Sequence, residues 1–168
     1  MAPAKRATPP NDVRWLDDDQ QAAWRSFATM LAKLRWALEC QLECDAGLSF
    51  IEYHTLARLS EEPGRTLRMS ELAFVTNASL SRLSHLVKRL ESRGLLRRES
   101  DPTDGRFTRA VLTKAGYAKL VASAPAHVAA VRNLVIDEFH PTELKRLEDA
   151  SERIVARIEG SEWDREPG

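Results

Sequence analysis

Between residues 101 and 112 the chain runs Asp101-Pro102-Thr103-Asp104-Gly105-Arg106 and then alternates through Phe107-Thr108-Arg109-Ala110-Val111-Leu112. Aspartate, proline and glycine are turn residues and a period of two belongs to a strand, so the segment predicts a hairpin tip carrying a cation. Just before it, over residues 79–92, the period changes. Leu80, Leu83, Leu86, Val87 and Leu90 form one apolar stripe at helical spacing, and Ser81, Arg82, His85, Lys88 and Arg89 lie on the other face. A basic, hydroxyl-bearing helix feeding a basic hairpin predicts a winged helix-turn-helix, in which the helix enters a DNA major groove and the hairpin touches the flanking backbone or minor groove.

The rest of the chain reads as helices on either side of that unit. A first helix is predicted from about Asp17, with Asp17, Asp18 and Asp19 favoured on its first turn by the helix dipole. Trp24, Phe27, Leu31, Leu34, Leu38 and Leu42 recur along it until Gly47 stops it near Asp45. That is longer than a small domain needs for its own core, so part of its apolar face is expected to pack on another chain. Ser49 with Glu52 three residues on is a capping box for a helix over 50–60. Glu62-Pro63-Gly64 breaks that helix, Leu67-Arg68-Met69 reads as a short strand, and residues 70–74 read as a third helix before the tight turn at 75–77.

Gly94 ends the basic helix, and residues 95–99 and 107–112 are the wing strands. Thr113 caps a helix expected to reach about Phe139 and to kink at Pro125. Pro141 opens a last helix with Leu144, Leu147, Ile154, Val155 and Ile158 as its stripe. The fold class is therefore mainly α with a small β-hairpin wing. The expected division is a disordered tail at 1–14, helical dimerisation regions at 15–47 and 114–160, a DNA-binding lobe at 48–113 and a tail at 161–168.

Over 168 residues the formal net charge is zero, which hides an asymmetry. Residues 65–109 hold ten basic against five acidic side chains, and residues 137–168 hold ten acidic against five basic. One surface suited to phosphate, with an acidic end held away from it, fits that distribution. No apolar run approaches the roughly 20 residues of a membrane span, and residues 1–11 lack the apolar centre of a secretory signal, so a cytoplasmic protein is expected. Cys40 and Cys44 are too few for a disulfide framework. Four apart on one helix they point the same way, either as packing or as a thiol sensor, and two thiols without histidines make half a metal site.

Ser81, Arg82 and His85 are the expected base or phosphate contacts, with Asn77 and Ser79 as caps or phosphate contacts at the helix start. Lys88 and Arg89 are expected to meet the DNA backbone or to pair with nearby acids. Arg106 is expected to reach a narrow minor groove, or to pair with Asp101 or Asp104, which would then position the wing. Trp15, Trp24, Phe27, Tyr53 and His54 are candidates for an aromatic pocket between the first two helices and the fifth, or for core. Arg58 offers that pocket a carboxylate partner or faces water. His54, His85, His127 and His140 fall on separate segments with no nucleophile motif, no glycine-rich phosphate loop and no metal-spaced carboxylates. No enzyme, no cofactor and no metal are expected.

Four pieces of the chain resemble the MarR family of transcription regulators. They are Gly47-Leu48-Ser49-Phe50-Ile51-Glu52-Tyr53; Arg68-Met69-Ser70-Glu71-Leu72-Ala73; Ser81-Arg82-Leu83-Ser84-His85 through Arg89-Leu90-Glu91-Ser92-Arg93-Gly94-Leu95; and Asp101 to Arg106 ending in Leu112-Thr113. The match spans residues 15–158. What the resemblance implies is a homodimer held by the first and last two helices, binding a pseudo-palindromic operator, usually as a repressor. It also implies release by a small aromatic or anionic effector, or by an oxidant. Two other readings stand beside this one: a protein-interaction module on the same scaffold, favoured by the zero net charge, and a thiol-based redox regulator.

Overall fold

The computed structural model describes residues 13–160. The expected tails at 1–14 and 161–168 lie outside that range apart from residues 13 and 14. The chain divides into two compact units, Met1–Arg35 and Trp36–Gly168.

Helix α1 (Asp18–Ala46) passes through the division. In the first unit Asp17 caps it, its Oδ1 accepting from the Gln20 amide at 2.8 Å while the Gln20 side chain accepts from the Asp17 amide at 3.2 Å. Trp24 and Phe27 follow on the same face with ring centroids 6.3 Å apart. At the other end Gly47 takes a φ of 59°, where a side chain would be strained, and donates to the Glu43 carbonyl at 3.0 Å.

The second unit holds the remaining elements: α2 (Phe50–Glu61), β1 (Thr66–Arg68), α3 (Met69–Val75), α4 (Leu80–Ser92), β2 (Leu96–Ser100), β3 (Thr108–Leu112), α5 (Lys114–Leu134) and α6 (Pro141–Glu159). The strands form one antiparallel sheet in the order β1-β3-β2, with Arg68 opposite Arg109 and Glu99 opposite the same Arg109 from the other side. The short strand predicted at 67–69 begins one residue earlier, and by pairing with β3 it makes the hairpin a three-stranded sheet.

The core is the sum of the inward stripes. Leu42, Leu48, Leu56, Leu59, Leu72, Leu83, Leu90 and Leu96 are completely or almost completely enclosed, with Ala110 and Leu112 of β3 beneath them. Burial of this apolar surface is the main drive for assembling α2, α3, α4 and the sheet into one lobe.

Two expectations are corrected. The helix predicted to reach Phe139 ends at Leu134: Val135 leaves helical geometry (φ −136°, ψ −62°) and a short 3-10 turn, Ile136–Glu138, follows. Leu80, assigned to the buried stripe of the basic helix, is 49% exposed, while Leu83, Leu86, Val87 and Leu90 are buried. As the first residue of α4 it precedes the turn that the other stripe residues lay against the core.

Helix α6 keeps the predicted register but contributes no buried residue. Ile154, Val155 and Ile158 on it, and Val121, Val128 and Leu134 on α5, remain exposed.

Candidate nucleic-acid interface

The helix-turn-helix is set by local chemistry. Helix α3 ends as the Thr76 amide returns to the Leu72 carbonyl at 3.1 Å, and Asn77 takes the left-handed conformation (φ 50°) that asparagine tolerates well. Ser79, extended at ψ 151°, then caps α4 by accepting from the Arg82 amide at 3.3 Å. Gly94 closes the helix at φ 70°, with the Leu95 amide bonded to the Leu90 carbonyl at 3.0 Å. With Leu83, Leu86, Val87 and Leu90 inward, Ser81, Arg82, Ser84, His85, Lys88 and Arg89 are all exposed, as are Asn77 and Ser79.

The wing is tied by aspartates in two different ways. Asp104 grips Arg106 as a fork, with Arg106 Nε donating to Oδ1 at 3.0 Å and Nη2 to Oδ2 at 2.7 Å, and this guanidinium holds the Asp104 carboxyl below its usual range. Arg106 nevertheless stays 85% exposed, a cation aimed but not consumed. Asp101 is buried and does not reach Arg106. It accepts from the Thr103 hydroxyl at 2.6 Å and amide at 2.8 Å, and from Arg68 Nε at 2.6 Å. Those bonds, the Thr103 hydroxyl first and Arg68 next, hold its carboxyl far below the ordinary aspartate value. Arg68 also lies over the Phe107 ring at 4.8 Å, so the end of β1 is bolted to the base of the wing.

Arg89 and Arg58 also have ionic partners. Arg89, expected to meet the DNA backbone or to pair with a nearby acid, donates Nε to Glu52 Oε1 at 2.8 Å and so ties α4 to α2. Glu52 is 4% exposed, completes the Ser49 capping box by accepting the Ser49 amide at 2.8 Å, and also receives Arg93 Nη1 at 3.4 Å. Arg58 pairs with Glu61 at 3.1 Å on an exposed face. Arg98, beside the tip, is held by Glu91 through Nε at 3.0 Å and Nη2 at 2.7 Å.

The groove where helix and wing meet has a volume of about 400 Å³ and is lined by Leu80 and Ser84 of α4, by Arg68 and Met69, and by Arg98, Arg106 and Phe107. Sequence reasoning missed Arg68 because its partner lies 33 residues away. The one clue was an arginine inside the short predicted strand Leu67-Arg68-Met69.

The residues proposed for an aromatic pocket fall in different units. Trp24 and Phe27 belong to the first unit, with Trp24 exposed. Tyr53 and His54 of α2 meet His127 of α5, the ring centroids being 4.5 Å (Tyr53–His127) and 6.2 Å (His54–His127) apart, while Phe50 lies 4.2 Å from His54. His127 Nδ1 bonds the Gln41 side chain at 3.0 Å. Burial lowers both histidines below the ordinary value, the nearby His127 adding to the effect on His54, so the neutral form of each is favoured. Cys40 is half-buried and Cys44 exposed, both as free thiols. Among the described residues no group of three or more histidine, cysteine or acidic side chains is placed to hold a metal, and no helix is long and apolar enough to cross a membrane.

A family model described as MarR family matches residues 46–106, the turn between α1 and α2 through the wing tip. The chain is similar over 91% of its length, at 42% identity and TM-score 0.85, to Sco3205, a MarR family transcriptional regulator from Streptomyces coelicolor crystallised in complex with DNA, of which it covers 95%. It is similar over 89% of its length, at 40% identity and TM-score 0.85, to all of AbsC, a MarR family transcriptional regulator of the same organism. BldR of Sulfolobus solfataricus, at 23% identity and TM-score 0.72 over 84% of this chain and 97% of that one, shares the fold. No curated protein sequence matches the chain. Identity of this extent, across the helices as well as the winged lobe, makes the protein a member of the MarR family of transcriptional regulators, which are not enzymes.

Proposed function

We propose that the protein binds a pseudo-palindromic duplex operator as a homodimer and represses transcription, releasing DNA when a small aromatic or anionic effector binds. The observation that carries this reading is the shared groove: the exposed polar face of α4 and the Asp104-aimed Arg106 border one surface, on a chain 42% identical to a regulator crystallised with DNA. Two such α4 helices would enter successive major grooves about 34 Å apart, and phosphate contacts would supply most of the affinity. The exposed Val121, Val128, Leu134, Ile154 and Val155 on α5 and α6 support a dimerisation region, since water-facing aliphatic side chains on two long helices are stabilised when a second copy covers them. For the effector, Tyr53 and His54 on α2 beside His127 on α5 are the candidate contacts, where the winged lobe meets the helix leaving it.

Operator sequences selected from random duplexes provide the test. Arg82→Ala and Arg106→Ala are each expected to weaken binding about tenfold, the size of one lost arginine contact, with sedimentation still reporting a dimer. Wild-type affinity in both variants would remove these residues. Binding that does not fall steeply with rising salt would favour a protein-interaction module instead.

A further inference from the structure

Leu80 breaks the pattern of its own helix. The other stripe residues of α4 are buried, but Leu80 presents half its surface to solvent in the groove between α4 and the wing. Phe107, 43% exposed, lines the same groove, so two exposed apolar side chains share it. Arg68, Arg98 and Arg106 line it as well, each held in place by a carboxylate. A surface that sets exposed apolar side chains among fixed cations is complementary to a partner that is anionic with apolar groups between its charges. Duplex DNA meets that description in its major groove, where phosphates border the groove and the thymine 5-methyl is the one apolar group among the base edges. The first residues of such a helix are also the ones that reach base edges.

We infer that Leu80 is a specificity-determining residue that packs against a thymine 5-methyl in each operator half-site. The inference rests on the DNA-binding reading above and deepens it. Arg82 and Arg106 supply charge, which holds the protein on any duplex, whereas Leu80 supplies a preference for one base pair at the position facing the first turn of α4. An adenine, guanine or cytosine at that position offers a polar edge and leaves the leucine without an apolar contact.

The test uses the full chain and its selected operator, with each thymine replaced in turn by deoxyuridine, which removes the methyl and nothing else. Affinity is read by fluorescence anisotropy for the wild type, Leu80→Ala and Leu80→Met. One thymine per half-site is expected to lose about fourfold in wild-type affinity on replacement, the value of one buried methyl. Leu80→Ala should be insensitive at that same thymine, Leu80→Met should retain the sensitivity, and all three should share one salt slope because Leu80 touches no phosphate. The proposal is overturned if no thymine is sensitive, or if wild type and Leu80→Ala lose equally at every thymine while both still bind. Absence of salt-steep binding by the wild type would instead overturn the DNA-binding reading itself. Because Leu80 lies outside the core, the alanine variant is expected to melt with the wild type, and circular dichroism checks that the comparison is between folded proteins.

Discussion

Glu52→Ala is expected to destabilise the lobe by about 2–3 kcal/mol and to lower its melting temperature by roughly 8 °C. The side chain joins two elements: it receives the Ser49 amide at the start of α2, and Arg89 and Arg93 from the far end of α4. Arg93 also donates to the Gly47 carbonyl at 2.9 Å, so the turn leaving α1 is held by the same cluster. Breaking a buried pair costs most when the partner is left dry. Here Arg89 is 58% exposed and can return to water, which keeps the expected loss at the low end.

The pH dependence follows from the direction of the shift. Burial alone would raise the Glu52 carboxyl, but the Ser49 amide and the two guanidinium groups outweigh it and hold the group below its ordinary value of 4.5. Because the folded state prefers the ionised form, this stabilisation is present above pH 4.5 and is lost as pH falls through the lowered folded value. The gap between wild-type and variant melting temperatures should therefore be largest near neutral pH and shrink at pH 4 and below. Equal melting of the two proteins at pH 7 would show that the cluster contributes nothing.

Gly116→Ala is the second large effect, about 3 kcal/mol and measured by chemical denaturation. A β-carbon there would lie 2.1 Å from the Leu95 carbonyl oxygen and 2.8 Å from Leu112 Cδ1. The carbonyl cannot yield easily, since it accepts the Thr113 amide at 3.2 Å, while the Thr113 hydroxyl caps Gly116 at 2.9 Å and donates to the Gly94 carbonyl at 2.7 Å. Alanine ordinarily stabilises a helix over glycine by about 1 kcal/mol, so the substitution also decides which effect wins. A variant as stable as the wild type would mean that α5 can back away from the wing at no cost. If the clash instead displaces α5, operator affinity should fall together with stability, because this joint carries the wing into the proposed dimerisation region.

The wing offers a separate check. Asp101→Asn keeps the shape but removes the charge that Arg68 meets at 2.6 Å, and it is expected to weaken operator binding several-fold and to lower the melting temperature as well, because the folded state favours the ionised carboxyl. Unchanged affinity would show that Arg106 is placed by Asp104 alone.

Much of this architecture is legible along the chain because its determinants are local. The Ser49 and Glu52 capping box, the stops at Gly47 and Gly94, the cap at Thr113 and the hairpin tip each depend on neighbours within a few residues. The stripe of α4 is equally local for Leu83 through Leu90. Periodicity could not foresee that Leu80, in register with them, would stand one turn short of the core. It also over-extended α5, since nothing in the apolar pattern marks Val135 as the residue that leaves the helix.

The partners that position the candidate interface are of another kind. Arg68 and Asp101 are 33 residues apart, Glu52 and Arg89 37 apart, and Tyr53 and His127 come from different helices. Which aspartate would hold Arg106 was open from sequence, and only the closed hairpin brings Asp104 rather than Asp101 within reach. Caps, turns and helical faces were thus determined by the sequence itself, because their energies act over one or two turns of chain. The choice of ionic partners, and the exposure of Leu80 beside Phe107 in the groove, were decided by the tertiary structure, because side chains meet whatever the packed backbone brings near.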